Sequence, residues 1–216
     1  MVVLNRRCLL GFAVAGVLVP TVRAQTPAVE SMLRRFSREV KCAEGSFEQK
    51  AFARDGKIRE TFSGTFAFLR PGRFVWQYEK PYRQSIISNG KTLWMYDEDL
   101  MQVTMRPLAQ SIGSTPAAIL FGNDPFGPSS GWTLNSIGKK GELVWVECLP
   151  KTSETISRAV IGFDSQGLPS IMTLVDAFGL KTELQLSGWK FESIADERFE
   201  FRIPDGVDVL EDESGL

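Results

Sequence analysis

The chain of 216 residues contains no histidine. That absence excludes a Ser-His-Asp triad, a Cys-His dyad, His-ligated zinc and an imidazole proton shuttle. Cysteine is scarce, at three residues, and neither charge is in excess: 25 Lys and Arg stand against 26 Asp and Glu, a formal net charge of −1. A nucleic-acid binder needs a basic footprint, which this balance does not supply. The apolar run at the N-terminus, Cys8 to Val19, is shorter than the about 20 residues that cross a bilayer. What is present is ordinary globular composition, 43% hydrophobic and 24% charged, in a length that suits one domain with a sizeable core.

Residues 1–24 read as an address. Arg6 and Arg7 make a positive n-region, the apolar run follows, and Val22-Arg23-Ala24 precedes Gln25 as a cleavage site. The expectation is a cleaved signal peptide, by the general or the twin-arginine route, with residues 25–216 as the mature domain. Cys8 stands at the start of the apolar run and not at the cleavage point, which argues against a lipid-modified N-terminus. Cleavage removes three arginines and no acid, so 192 residues of net charge −4 remain. They keep Cys42 and Cys148, which an exported chain can join in a disulfide or bury as two thiols; the sequence leaves both open.

From Thr26 to Val40, apolar side chains at Val29, Met32, Leu33, Phe36 and Val40 fall on one helical face. Thr26 suits the N-cap and Pro27 the first turn. That face covers either a core or an apolar hollow. From Gly45 the period changes to two. Phe62, Phe66, Phe68 and Arg70 share one parity, and after Pro71-Gly72 the residues Phe74, Trp76 and Tyr78 continue it. Asn89-Gly90 marks a hairpin between strands at residues 84–88 and 91–96, and Met101, Val103 and Met105 alternate in the next. A Gly- and Pro-rich stretch, residues 107–131, holds a short helix candidate at Thr115 to Phe121. Strands resume at residues 132–136, 143–149, 157–164, 169–176, 180–187 and 197–201, about eleven in all. The acids Asp97, Glu98 and Asp99 read as a solvated turn. The aromatic face suits a packed β core, or a curved sheet enclosing an apolar concavity.

The segment Phe66-Ala67-Phe68-Leu69-Arg70-Pro71-Gly72-Arg73-Phe74-Val75-Trp76 resembles the LolA family of periplasmic outer-membrane lipoprotein carriers. The likeness continues through Lys80-Pro81-Tyr82, Ser88-Asn89-Gly90-Lys91-Thr92-Leu93-Trp94-Met95-Tyr96-Asp97 and Gln102-Val103-Thr104, and includes Ser46-Phe47-Glu48-Gln49. Thr115-Pro116, Phe163-Asp164 and Phe199-Glu200-Phe201 fit more loosely.

The resemblance implies a mainly β fold: an incomplete, unclosed antiparallel β-barrel of about 11 strands with a helical lid over an apolar cavity. It implies a monomeric periplasmic chaperone, not an enzyme, without metal or cofactor. Such a carrier takes lipid-modified proteins from an inner-membrane lipoprotein-releasing ABC transporter and hands them to an outer-membrane lipoprotein receptor. The alternative is a related β-clam that binds lipid or senses the envelope. Three acyl chains of about forty methylenes represent about 30 kcal/mol of gross transfer, above the roughly 20 kcal/mol at which non-covalent affinity saturates. The container must therefore both shelter and release. On this reading Phe47, Phe62, Phe66, Phe68, Phe74, Trp76, Tyr78, Trp94 and Met105 line the cavity. Met32, Leu33 and Phe36 form the lid helix's apolar face, and Arg70, at the family's functional Arg-Pro position, latches the lid.

Overall fold

Helix α1, Thr26–Glu39, forms where the apolar spacing requires it, with Leu33 and Phe36 both 1% exposed. The structure, a computed structural model, describes residues 26–111, 115–121, 131–152 and 155–211. The expected signal peptide, residues 1–24, lies outside them. Six strands follow α1: β1 (Cys42–Phe52), β2 (Ile58–Leu69), β3 (Arg73–Lys80), β4 (Gln84–Asn89), β5 (Thr92–Asp97) and β6 (Gln102–Pro107). A 3-10 turn, Leu108–Ser111, and the short helix α2, Pro116–Phe121, separate them from β7 (Trp132–Lys140), β8 (Leu143–Pro150), β9 (Ile156–Phe163), β10 (Pro169–Asp176) and β11 (Lys181–Lys190). A second 3-10 turn, Asp196–Phe199, leads to β12 (Asp208–Glu211).

All twelve strands join one sheet in the order β12-β6-β5-β4-β3-β2-β1-β11-β10-β9-β8-β7. Every neighbouring pair is antiparallel except β12 with β6, which is parallel. The sheet does not close: β12 and β7 are its ends. The unclosed β architecture is as expected, with one strand more than the about eleven of the sequence pattern. The segment expected as a strand at residues 197–201 is a 3-10 turn instead. There Phe199 is wholly buried, and Pro204 with the turn at Gly206 (φ +81°) delays the last strand to Asp208. Five residues of alternation are too few to tell a strand from such a turn.

The sheet buries both faces. The main cluster lies on the inner face and combines α1 and α2 with residues from β1–β5 and β7–β11. A smaller one, Ile87, Trp94 and Val103, lies on the outer face and is packed by Val75, Tyr96, Met105, Phe201 and Val207. Two glycines shape the centre. A Cβ on Gly45 would stand 2.6 Å from the Phe66 ring, and one on Gly64 would meet the Gln77 backbone and the Phe47 ring. Each glycine therefore seats an aromatic from the neighbouring strand.

Candidate functional site

The inner face of β2 and β3 is an aromatic wall, as the alternation predicts. Phe66, Phe68, Phe74 and Trp76 are at most 2% exposed, and Tyr78 is buried beside them. Phe47, from β1, stacks on Trp76 at 4.1 Å between ring centroids. Phe62 is half-buried and meets Tyr78 edge-on at 5.7 Å. The Tyr78 hydroxyl donates to Gln49 Oε1 (3.1 Å), and burial pushes its phenol up to about 12.

Both helices set their apolar side chains against this wall. On α1, Phe36 packs edge-on against Phe68 (6.3 Å) and Phe163 (6.2 Å), and Met32 sits against the β9–β10 turn at Gly167. On α2, Phe121 is fully buried and stacks on Phe68 at 4.5 Å with an interplanar angle of 11°, and on Phe66 at 5.4 Å. The protein's own rings thus occupy the middle of the inner face. Beside the C-terminal end of α1, a groove of about 360 Å³ opens between Phe36, Val40, Leu168 and Phe191.

Arg70 joins these parts. It follows β2 at the strand end, before Pro71, in a half-buried position. Its Nε donates to Val40 O, just past α1, and its Nη2 donates to Leu120 O in α2, both at 3.2 Å. The guanidinium carbon stands 5.0 Å from the ring centres of Phe36 and Phe68. A cation in such apolar company persists because backbone carbonyls and ring faces replace water around it. One side chain thereby ties both helices to the sheet.

Two residues expected in the wall lie elsewhere. Trp94 and Met105 belong to the outer cluster, with Trp94 6.1 Å from Phe201. The register explains it. Val75, Ile87, Trp94 and Met105 form one row across β3–β6, while Trp76, Ile86, Met95 and Thr104 form the adjacent row on the opposite face. The disulfide is also absent: Cys42 and Cys148 are free. Cys148 belongs to the inner cluster, on β8, and burial pushes its thiol up to about 12. Cys42 precedes the inward Ala43 on β1, so it has outward parity, and Cys42 Sγ donates to Glu192 O at 3.4 Å. Three strands, β11, β10 and β9, stand between β1 and β8, where a disulfide needs Cα atoms within roughly 7 Å.

Two inner-face residues escape the alternation argument. Phe121 sits on the expected short helix but carries no strand period that would assign it a face. Trp189 packs against Phe66 at 4.8 Å and Phe36 at 6.2 Å. It turns inward because Gly188 (φ +64°) begins a β-bulge: Gly188 and Trp189 both oppose Gly45, between the pairs Ser46–Ser187 and Glu44–Lys190. An isolated glycine in a strand pattern is the signal for such a bulge. Ser88 donates its hydroxyl to Gly72 O at 2.8 Å, and the Asp97 carboxylate accepts from Leu100 N within its own turn.

The profile of the family described as "Outer membrane lipoprotein carrier protein LolA" matches residues 38–202. An outer-membrane lipoprotein carrier protein of Nitrosospira multiformis is 41% identical over 180 residues, covering 82% of this chain and 86% of the relative. One from Bordetella bronchiseptica is 39% identical over 201 residues, covering 92% and 93%. The crystal structure of a LolA superfamily protein from Nitrosomonas europaea superposes with a TM-score of 0.50 at 12% identity, over 81% of this chain and 97% of the other. That last likeness speaks to the fold alone.

Proposed function

We infer that this chain, which belongs to the LolA family of outer-membrane lipoprotein carrier proteins, carries lipoproteins by sheltering their acyl chains between the aromatic wall and helices α1 and α2. The observation that carries this reading is the arrangement at Arg70. A single guanidinium holds both helices over an apolar face through two backbone carbonyls. A cover held that way can be lifted without breaking any strand pairing of the sheet.

The rings under the cover answer the affinity problem. Phe121, Leu120 and Ile119 are at most 1% exposed and fill the apolar volume between wall and cover. Entering acyl chains must displace them, so part of the roughly 30 kcal/mol of gross transfer is offset by apolar surface the protein uncovers. The net affinity then falls into a range from which cargo can leave. When Arg70 regains Val40 O and Leu120 O, closure works against the cargo and favours its passage onward. In the full reading, loading occurs at an inner-membrane ABC transporter and delivery at an outer-membrane receptor, with the chain exported to the periplasm by its N-terminal segment and performing no catalysis.

The test separates loading from transfer. Arg70→Leu is expected to load a triacylated lipoprotein at least as well as the parent, because the lid opens more easily. It should pass that cargo to a receptor at least tenfold more slowly, because closure no longer helps to expel it. Both rates are read by following a labelled lipoprotein between donor membrane, carrier and acceptor. Equal rates for parent and variant in both steps would sink the latch.

A further inference from the structure

A bulge that turns an indole into a greasy cluster needs a reason. Trp189 packs among Phe36, Phe66 and Phe68, with Phe191 stacked beside it at 6.4 Å. Its Nε1–H is buried and has no hydrogen-bond partner. Buried indole N–H groups nearly always find an acceptor, and an orphaned one calls for an explanation. Packing alone would be served by phenylalanine or leucine, which fill an apolar gap without an idle donor. Two glycines make the placement possible. Gly188 supplies the positive φ of the bulge, and Gly45, opposite it, leaves room for the Phe66 ring against which the indole rests. Bulges of this kind commonly re-aim a side chain next to a functional site.

The cargo chemistry inferred above offers the missing acceptor. Plain hydrocarbon has none, but a fatty acyl group begins at a carbonyl, as an ester or an amide. We propose that the Trp189 indole N–H donates to an acyl carbonyl of the bound lipid, so that the site reads the acyl linkage as well as the hydrocarbon. This rests on the carrier reading and adds a chemical class to it: acylated lipids are preferred over ether or hydrocarbon lipids of the same length. Trp76 Nε1, 5.9 Å ring to ring from Phe66, is the other buried indole donor of this face, but it has an acceptor beside it in the Tyr78 hydroxyl, whose phenol its hydrogen bond lowers against the upward push of burial. Its neighbour on the same face is Tyr78, whose hydroxyl proton is committed to Gln49. Trp76 is therefore the control and not the proposed donor.

The experiment uses dioctanoylglycerol and its dioctyl ether analogue, with binding measured by displacement of an apolar dye. One hydrogen bond to a neutral carbonyl corresponds to about a fivefold preference for the ester. Wild type should show that preference, and Trp189→Phe should abolish it, bringing the ester-to-ether affinity ratio to about one. Equal losses for both lipids would reduce Trp189 to packing and overturn the proposal. So would a full ester preference surviving in Trp189→Phe, or one removed by Trp76→Phe instead. If wild type displaces dye with neither lipid, the carrier reading falls and takes the proposal with it. Should Trp189→Phe fail to fold, the carbonyl stretch of the ester bound to wild type decides: a frequency matching the ester in hydrocarbon overturns the assignment.

Discussion

The two faces of the sheet carry similar apolar side chains under unlike covers. On the inner face, Phe36 and Phe121 come from helices that Arg70 fastens through two side-chain hydrogen bonds. On the outer face, the row of Val75, Ile87, Trp94 and Met105 lies beneath a C-terminal segment bearing Phe201 and Val207. That segment enters the sheet itself: β12 runs parallel to β6 over Asp208–Glu211, and Asp208 N donates to Met101 O at 2.9 Å. Ion pairs from Arg73 to Asp196 and from Arg198 to Glu44 add ties at its start. The lesson is that apolar area does not distinguish a lid from a wall. On the proposed carrier reading the kind of fastening does: backbone pairing ties the outer cover to the sheet, whereas the inner cover can be lifted by parting side-chain contacts without breaking a strand pair.

The largest test of that contrast is Phe199→Ala. Phe199 has no exposed surface and sits in the turn that starts the outer cover. Its loss should cost about 3–5 kcal/mol of global stability by denaturant unfolding, with apolar-dye uptake at the inner face unchanged. Phe121→Ala should cost less, about 2 kcal/mol or below, although Phe121 is equally buried, because α2 can resettle without disturbing any strand. Dye uptake should rise in this variant. Equal stability losses with unchanged dye uptake in both would mean that the inner cover is as permanent as the outer one.

The same contrast shows what was legible in the sequence. Within β2 and β3 the even-numbered aromatics all point inward, and Arg70 at the end of the series reaches the helices as that parity demands. Between strands, parity depends on the loop. Tyr78 pairs with Gln84 across five residues, so even positions stay inward on β4. Ser88 pairs with Leu93 across four, so the inward set on β5 becomes Leu93 and Met95 and leaves Trp94 outside. Asn89 sets that loop by accepting from Lys91 N and Thr92 N, with Gly90 at φ +93°. The strands were readable from their own residues. The face of a strand reached through a turn was not, because it hangs on one residue of loop length, and Trp189 changed sides through one residue of bulge.

The smallest effect belongs to the ion pairs of the outer cover, and it decides what holds that cover. Glu44 accepts from Arg198 at 2.7 Å and lies 3.5 Å from Lys190, with its side chain 29% exposed. The Arg198 hydrogen bond holds its carboxyl below the ordinary value of 4.5. A carboxyl depressed by folding adds stability that is present above its unfolded pKa and is lost as pH falls through the lowered folded value. Glu44→Gln should therefore cost less than about 1 kcal/mol at neutral pH, and the gap to wild type should narrow on acidification and in high salt. Urea midpoints at pH 7 and near pH 3 measure both quantities. A loss of several kcal/mol, or a gap that widens in acid, would show the outer cover hanging on charge. It would then be as releasable as the inner one, by protons instead of cargo, and the distinction between backbone stitching and side-chain latch would no longer explain which face opens.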